Sequence, residues 1–122
     1  SVLATVIGHK PDRGMLTIDA GSLAMSPDHG AREANAAWGY GLVCDLAGRP
    51  IEDLHVASLS QEHGWVQRAH GDQPLPYERL PIGSRIRVLP SHSCITAAMF
   101  QHYDVHQAGL LMARWRRCAS HG

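Results

Sequence analysis

The sequence predicts a mainly β protein: a compact, antiparallel barrel-like domain with one short helix. Three observations lead there. Apolar residues fall in short, often β-branched stretches rather than at helical spacing. Gly, Pro, Asp and Asn break those stretches at close intervals, the punctuation of tight turns between antiparallel neighbours. Only one segment, residues 91–100, reads as a convincing helix.

Taken in order, residues 2–7 form a β-branched strand, residues 9–14 a turn, and residues 15–19 a second strand, so a hairpin opens the domain. Ala20-Gly21-Ser22 ends it abruptly, and Asp19 is placed to accept backbone hydrogen bonds there. Residues 26–37 are small and polar, with Pro27, Asp28 and Gly30, and predict a long surface loop. Trp38-Gly39-Tyr40-Gly41 sets two aromatics between glycines at a strand entrance, either packed into the core or lining a cleft. Residues 40–46 are the next strand, residues 47–50 turn it, and residues 54–59 return. Residues 60–63 make a short connection to a strand over residues 64–68. Residues 71–76 hold too many prolines for a central strand. Residues 86–89 form the next strand, stopped by Pro90, and Ser91 or Ser93 can cap the helix that follows. A last hairpin pairs residues 103–106 with residues 110–116 across Gln107-Ala108-Gly109.

The 122 residues suit a single β-domain, residues 1–122, large enough for a core that needs no disulfides. With 11 basic and 11 acidic residues the formal net charge is zero, and scattered arginines provide no basic face for a nucleic acid. No apolar run reaches the ~20 residues that cross a bilayer, so no membrane association is expected. Three cysteines, Cys44, Cys94 and Cys118, are an odd count, which argues for reduced thiols and a cytoplasmic setting. Cys44, within a strand, is expected to be buried. Nine histidines raise the prospect of metal binding or acid–base chemistry, whereas Lys10 is the single lysine.

The sharpest chemical feature is Leu89-Pro90-Ser91-His92-Ser93-Cys94. A strand stops at Pro90, and His92 and Cys94 stand where the helix begins. Side chains two residues apart in extended or turn backbone can address one ion, and imidazole with thiolate is a pair suited to zinc. Unpaired N–H groups at a helix start also favour the thiolate. Two protein ligands leave coordination open for water or substrate, as catalysis requires. Spacing alone favours a plainer reading, with Cys94 packed as a small hydrophobe and His92 capping the helix. Ser60-Gln61-Glu62-His63-Gly64 is the second cluster: Glu62 and His63 can orient a ligand or relay a proton if the chain turns there, and otherwise form a solvated corner.

Asp19-Ala20-Gly21, Ser60-Gln61-Glu62-His63-Gly64, and Val88-Leu89-Pro90-Ser91-His92-Ser93-Cys94 with Thr96 behind it occur in a characteristic order and spacing. Together they resemble the carboxy-terminal domain of D-serine dehydratase-like and D-threonine aldolase-like enzymes, over residues 2–117. The resemblance implies alanine-racemase-type architecture, with pyridoxal phosphate held on an amino-terminal (β/α)8 barrel and a β-domain after it. By that resemblance His92 and Cys94 hold zinc or another divalent metal, and Glu62 and His63 lie near the active centre. It implies a lyase acting on β-hydroxy-D-amino acids, by dehydration or retro-aldol cleavage, and a homodimer. Thiolate at Cys94 leans toward the dehydratases, since some aldolase-type members carry a carboxylate at that position.

The sequence departs from the family in what it lacks. A barrel takes ~250 residues and a Schiff-base lysine, and Lys10 sits in a turn with no phosphate-binding loop near it. The abrupt start on a strand leads us to expect an excised or processed domain, inactive alone. The competing expectation is a stand-alone, non-catalytic β-barrel module for ligand binding or subunit contact.

Overall fold

A computed structural model describes residues 1–28 and 38–118. The opening hairpin is β1 (Val2–Lys10) and β2 (Met15–Ile18), joined by a 3-10 turn over Pro11–Arg13. That turn closes on Gly14 at φ 63°, a left-handed value open to a residue without a Cβ. β3 (Gly41–Cys44), β4 (Pro50–Leu59), β5 (Gly64–Arg68) and β6 (Arg85–Pro90) follow. The six strands close into an antiparallel barrel in the order β1-β2-β5-β4-β3-β6, with β6 returning to β1. Closure depends on the length of β1: Val2–Thr5 pair with β6, and Val6–Lys10 pair with β2 across a bulge between Val6 and Gly8. A bulge of this kind bends a strand and lets it serve two neighbours at a barrel corner.

Alternation along each strand puts one face inside. Val6, Leu16, Ile18, Val43, Leu54, Val56, Val66, Ile86 and Val88 are fully buried there, with Val2 and Ala4 nearly so. Cys44 is also fully buried, as its place in a strand predicts, and burial pushes its thiol above the ordinary range. Leu75 and Leu80, from the Pro-rich connection, join the same core. Arg68 holds that connection by donating to the carbonyls of Gln73, Pro74 and Glu52 at 3.0, 2.9 and 3.1 Å.

Because every neighbour in the barrel is antiparallel, one rim gathers the ends of β2, β4 and β6 with the starts of β3 and β5. This rim carries two short helices, α1 (Ser22–Met25) and α2 (Ser93–Ala98). The structure thus adds a helix to the one expected. A four-residue turn is too short to show periodicity, and its first N–H groups are satisfied from outside. Ser22 and Leu23 donate to the carbonyls of Ser60 and Gln61 at 2.8 and 3.0 Å. Met25 of α1 is buried in the core.

β7 (His102–Gln107) and β8 (Leu110–Arg116) form a separate two-stranded hairpin after α2. Residues 29–37 of the expected surface loop lie outside the described residues. Its first residue, Ser26, is buried instead of exposed.

Candidate metal centre on one rim of the barrel

The three sequence motifs meet on this rim. Asp19 accepts from the Thr5 N–H at 2.7 Å, so its role at the end of β2 is structural, as its turn position predicts. Gly21 then presses against the β4–β5 turn: a Cβ there would lie 2.5 Å from the backbone of Ser60, Gln61 and His63. No side chain fits at that distance, which explains a glycine at this position. The turn itself is closed by the Ser60 N–H donating to the His63 carbonyl at 2.8 Å. Glu62 and His63 are both exposed at its tip, as the solvated-corner reading expects.

His92 is the N-cap residue of α2, with extended backbone (φ −126°, ψ 102°) and no capping bond from its side chain. Neither serine caps the helix by side chain. Ser91 is diverted: its hydroxyl donates to the Gly39 carbonyl at 2.8 Å, and its N–H donates to the Tyr40 carbonyl at 3.0 Å. These bonds fasten the residue before His92 to the entrance of β3. Ser93 lies within the helix. Thr96, buried, donates its hydroxyl to the Met25 carbonyl at 2.6 Å and lies 3.0 Å from the His92 carbonyl, so α1 and α2 are joined directly beneath the site.

The imidazole of His92 is half-buried and turned to a partner that the sequence did not suggest. Its Nδ1 lies 2.7 Å from Oδ2 of Asp28. Cys94, two residues on, is a free, exposed thiol in the first turn of α2. The plainer reading of Cys94 as a packed hydrophobe therefore does not apply, and His92 does not use its ring as a cap. With Nδ1 engaged, Nε2 is the ring nitrogen that remains for a ligand, and nitrogen with sulfur is a donor set suited to zinc. Among the described residues no group of three or more His, Cys, Asp or Glu side chains gathers into a metal cage. A pair of such donors alone would leave coordination open, whereas a closed structural site takes four. Asp28 had no signal in the sequence beyond its place in a polar loop, since 64 residues separate it from His92.

With the geometry established, the chain can be set beside known proteins. The family described as "Putative serine dehydratase domain" matches residues 1–106. This chain belongs to that family. D-threo-3-hydroxyaspartate dehydratase of Delftia sp. is 43% identical over 118 residues, covering 96% of this chain and 31% of that protein. D-serine dehydratase of Dictyostelium discoideum is 38% identical over 107 residues, covering 85% of this chain and 26% of that protein. The chain therefore spans under a third of these serine dehydratase-domain enzymes and corresponds to their carboxy-terminal part. An uncharacterized protein of Mycobacterium tuberculosis is 33% identical over 122 residues, covering 98% of this chain and 81% of that protein.

The solved Delftia dehydratase superposes with a TM-score of 0.84 at 41% identity, over 97% of this chain and 31% of that one. A histidine-to-alanine variant and a cysteine-to-alanine variant of that enzyme superpose equally well, the latter in a metal-free form. The two substituted positions are two residues apart in that enzyme.

Proposed function

We propose that this chain is the carboxy-terminal, metal-binding β-domain of a pyridoxal-phosphate- and divalent-metal-dependent lyase acting on β-hydroxy-D-amino acids. The observation that carries this reading is the rim geometry: a half-buried His92 whose ring is held by Asp28, and a free Cys94 thiol two residues along. His92 and Cys94 would hold zinc or a similar divalent ion. The Delftia histidine and cysteine variants have the same two-residue spacing, and the metal-free form of the cysteine variant supports the assignment.

When bound, the metal supplies Lewis acidity at the substrate's β-hydroxyl, and pyridoxal phosphate on the rest of the enzyme supplies an electron sink at the α-carbon. This chain's share is positional. His92 and Cys94 leave coordination open for a substrate oxygen, while the Ser91 and Thr96 bonds hold the backbone of both ligands against the barrel rim. Glu62 and His63, exposed at the turn bonded to α1, orient the substrate or relay a proton there. We favour dehydration over aldol cleavage because the Delftia and Dictyostelium relatives are dehydratases.

Lys10, the single lysine, lies at the far end of β1 from the rim that carries His92, so the cofactor belongs on an amino-terminal (β/α)8 barrel domain. Domain and subunit contacts, including a homodimer, are consistent with the exposed apolar residues of β8. Alone, residues 1–122 would be inactive. The three free thiols suit the cytoplasm.

A second reading has one observation in its favour. The mycobacterial relative is 81% covered by this chain and has no length left for a ~250-residue barrel. A stand-alone β-barrel module for ligand binding or subunit contact is the form that this observation supports.

Cobalt(II) titration separates the two readings. The purified chain should bind the ion with a sulfur-to-cobalt charge-transfer absorption, which Cys94→Ser abolishes and His92→Ala strongly weakens. A wild-type chain that binds no cobalt supports the stand-alone module instead. In the enzyme that includes the barrel, Cys94→Ala should lower bound metal and turnover together, by more than the 10–100-fold typical of losing a group that only supports a ligand. Unchanged turnover after thorough chelation counts decisively against the metal-dependent reading.

A further inference from the structure

Histidine offers a metal one ring nitrogen at a time, and the bond made by the other nitrogen decides which. In His92, Nδ1 is 2.7 Å from Oδ2 of Asp28. An ionised carboxylate can only accept, so in the neutral ring the hydrogen resides on Nδ1 and the lone pair on Nε2. We propose that Asp28 is a positioning residue of the metal site: it fixes His92 in the Nδ1–H tautomer and in one ring orientation, presenting Nε2 to the cation that Cys94 shares. The inference rests on the metal reading given above and deepens it.

Asp28 is itself held in place. Its backbone N–H donates to the hydroxyl of Ser26 at 3.1 Å, and Ser26 is fully buried at the end of α1, where its own N–H bonds the Ser22 carbonyl at 3.0 Å. The carbonyl of Met25, in that same turn, receives the Thr96 hydroxyl from α2. The carboxylate and the imidazole are thus both mounted on the joined pair α1 and α2, one from each helix end. Metal-bound imidazoles commonly donate their second nitrogen to a carboxylate, which sets the tautomer and raises the basicity of the ligating nitrogen.

A structural ion pair is the competing account, and the exposure of the two side chains weighs against it. They are 31% and 44% exposed, so the pair adds little to folding stability. The value of the contact lies in orientation.

The test has two readouts. Long-range proton–nitrogen spectra of the metal-free protein, at one fixed neutral pH, should show hydrogen on His92 Nδ1 and a bare Nε2. Asp28→Ala should let the ring sample both tautomers. Zinc affinity, measured by calorimetry on the same proteins, should fall 10–100-fold in Asp28→Ala and by less in Asp28→Asn, which keeps an acceptor oxygen without the charge. The midpoint of thermal unfolding should stay unchanged in both. Asp12→Asn, which removes an exposed charge on the opposite rim, should leave affinity untouched. A wild-type ring with hydrogen on Nε2 and none on Nδ1, or zinc binding indifferent to Asp28→Ala, overturns this inference alone. A wild-type protein that binds no zinc overturns the metal reading and this inference with it.

Discussion

The barrel and the β7–β8 hairpin are built from the same kind of antiparallel pairing and end in opposite states. Inside the barrel, side chains on every strand are fully buried. In the hairpin no residue is buried, and Leu110, Leu111, Met112 and Trp115 of β8 are each 57% or more exposed. The cross-strand register is as well formed in one as in the other. Pairing therefore organises a backbone without creating a core, and burial comes only when a sheet closes or meets a second layer. An isolated two-stranded hairpin is marginal in water. This one is tethered to α2 by the Tyr103 hydroxyl donating to the Ala97 carbonyl at 2.7 Å, and the Arg117 N–H donating to the Gln101 carbonyl at 2.8 Å extends its own ladder by one rung. A bidentate pair from Arg114 to Asp104, at 2.6 and 3.1 Å, braces its two strands.

Single substitutions test the contrast directly. The largest effect belongs to the barrel. Ile86→Ala removes a fully buried side chain from β6, which bonds to both β1 and β3. It should cost about 3 kcal/mol in urea unfolding. A loss below about 1 kcal/mol would mean that closure of the barrel contributes far less than the burial implies.

The hairpin should behave differently. Trp115→Ser removes a larger side chain that is 62% exposed, and the stability of the chain should change by no more than about 0.5 kcal/mol. In the proposed full-length enzyme, the same substitution should weaken domain or subunit association, read by sedimentation. A large loss of stability in the isolated chain would show that β8 is already covered there.

The smallest effect is on acidification. The hydrogen bond from Arg114 holds the Asp104 carboxyl below its ordinary value of 3.8. A depressed folded-state value means that the stabilising contribution is full above the ordinary carboxylate range and is lost as pH falls through the depressed value. Hydrogen exchange should therefore show cross-strand amides of β7 and β8 losing protection below about pH 4, while barrel amides keep theirs. Asp53, held low chiefly by its bond from His70, follows the same sign at the far rim, but β4 and β5 keep the barrel core beneath them. Simultaneous loss in both regions would mean that the hairpin and the barrel unfold as one unit.

Most of the fold was legible in the chain. Alternation at Leu54–Val56 and Val66, and the β-branched run from Val2, mark inward faces without any knowledge of their partners. Residues 64–68 are a strand in both readings because Gly64 opens it, and a Cβ there would meet the Ala20 carbonyl at 2.7 Å. Helix α1 was not legible, because a single turn stabilised by carbonyls of the β4–β5 turn has no local signature. The capping of α2 was misassigned for a related reason: serine is a good cap in isolation, but Ser91 spends its hydroxyl on Gly39, 52 residues away.

The mainly β class, the strand spacing, the turn chemistry and the two donor types at His92 and Cys94 can be read along the chain, because they follow from propensity and period over a few neighbouring residues. That the three motifs share one rim, that His92 turns to Asp28, and that β8 keeps its apolar residues in the open emerges from the folded chain alone. Those outcomes depend on closing a barrel whose paired strands lie far apart in the chain, and no local pattern encodes which distant group arrives at a given side chain.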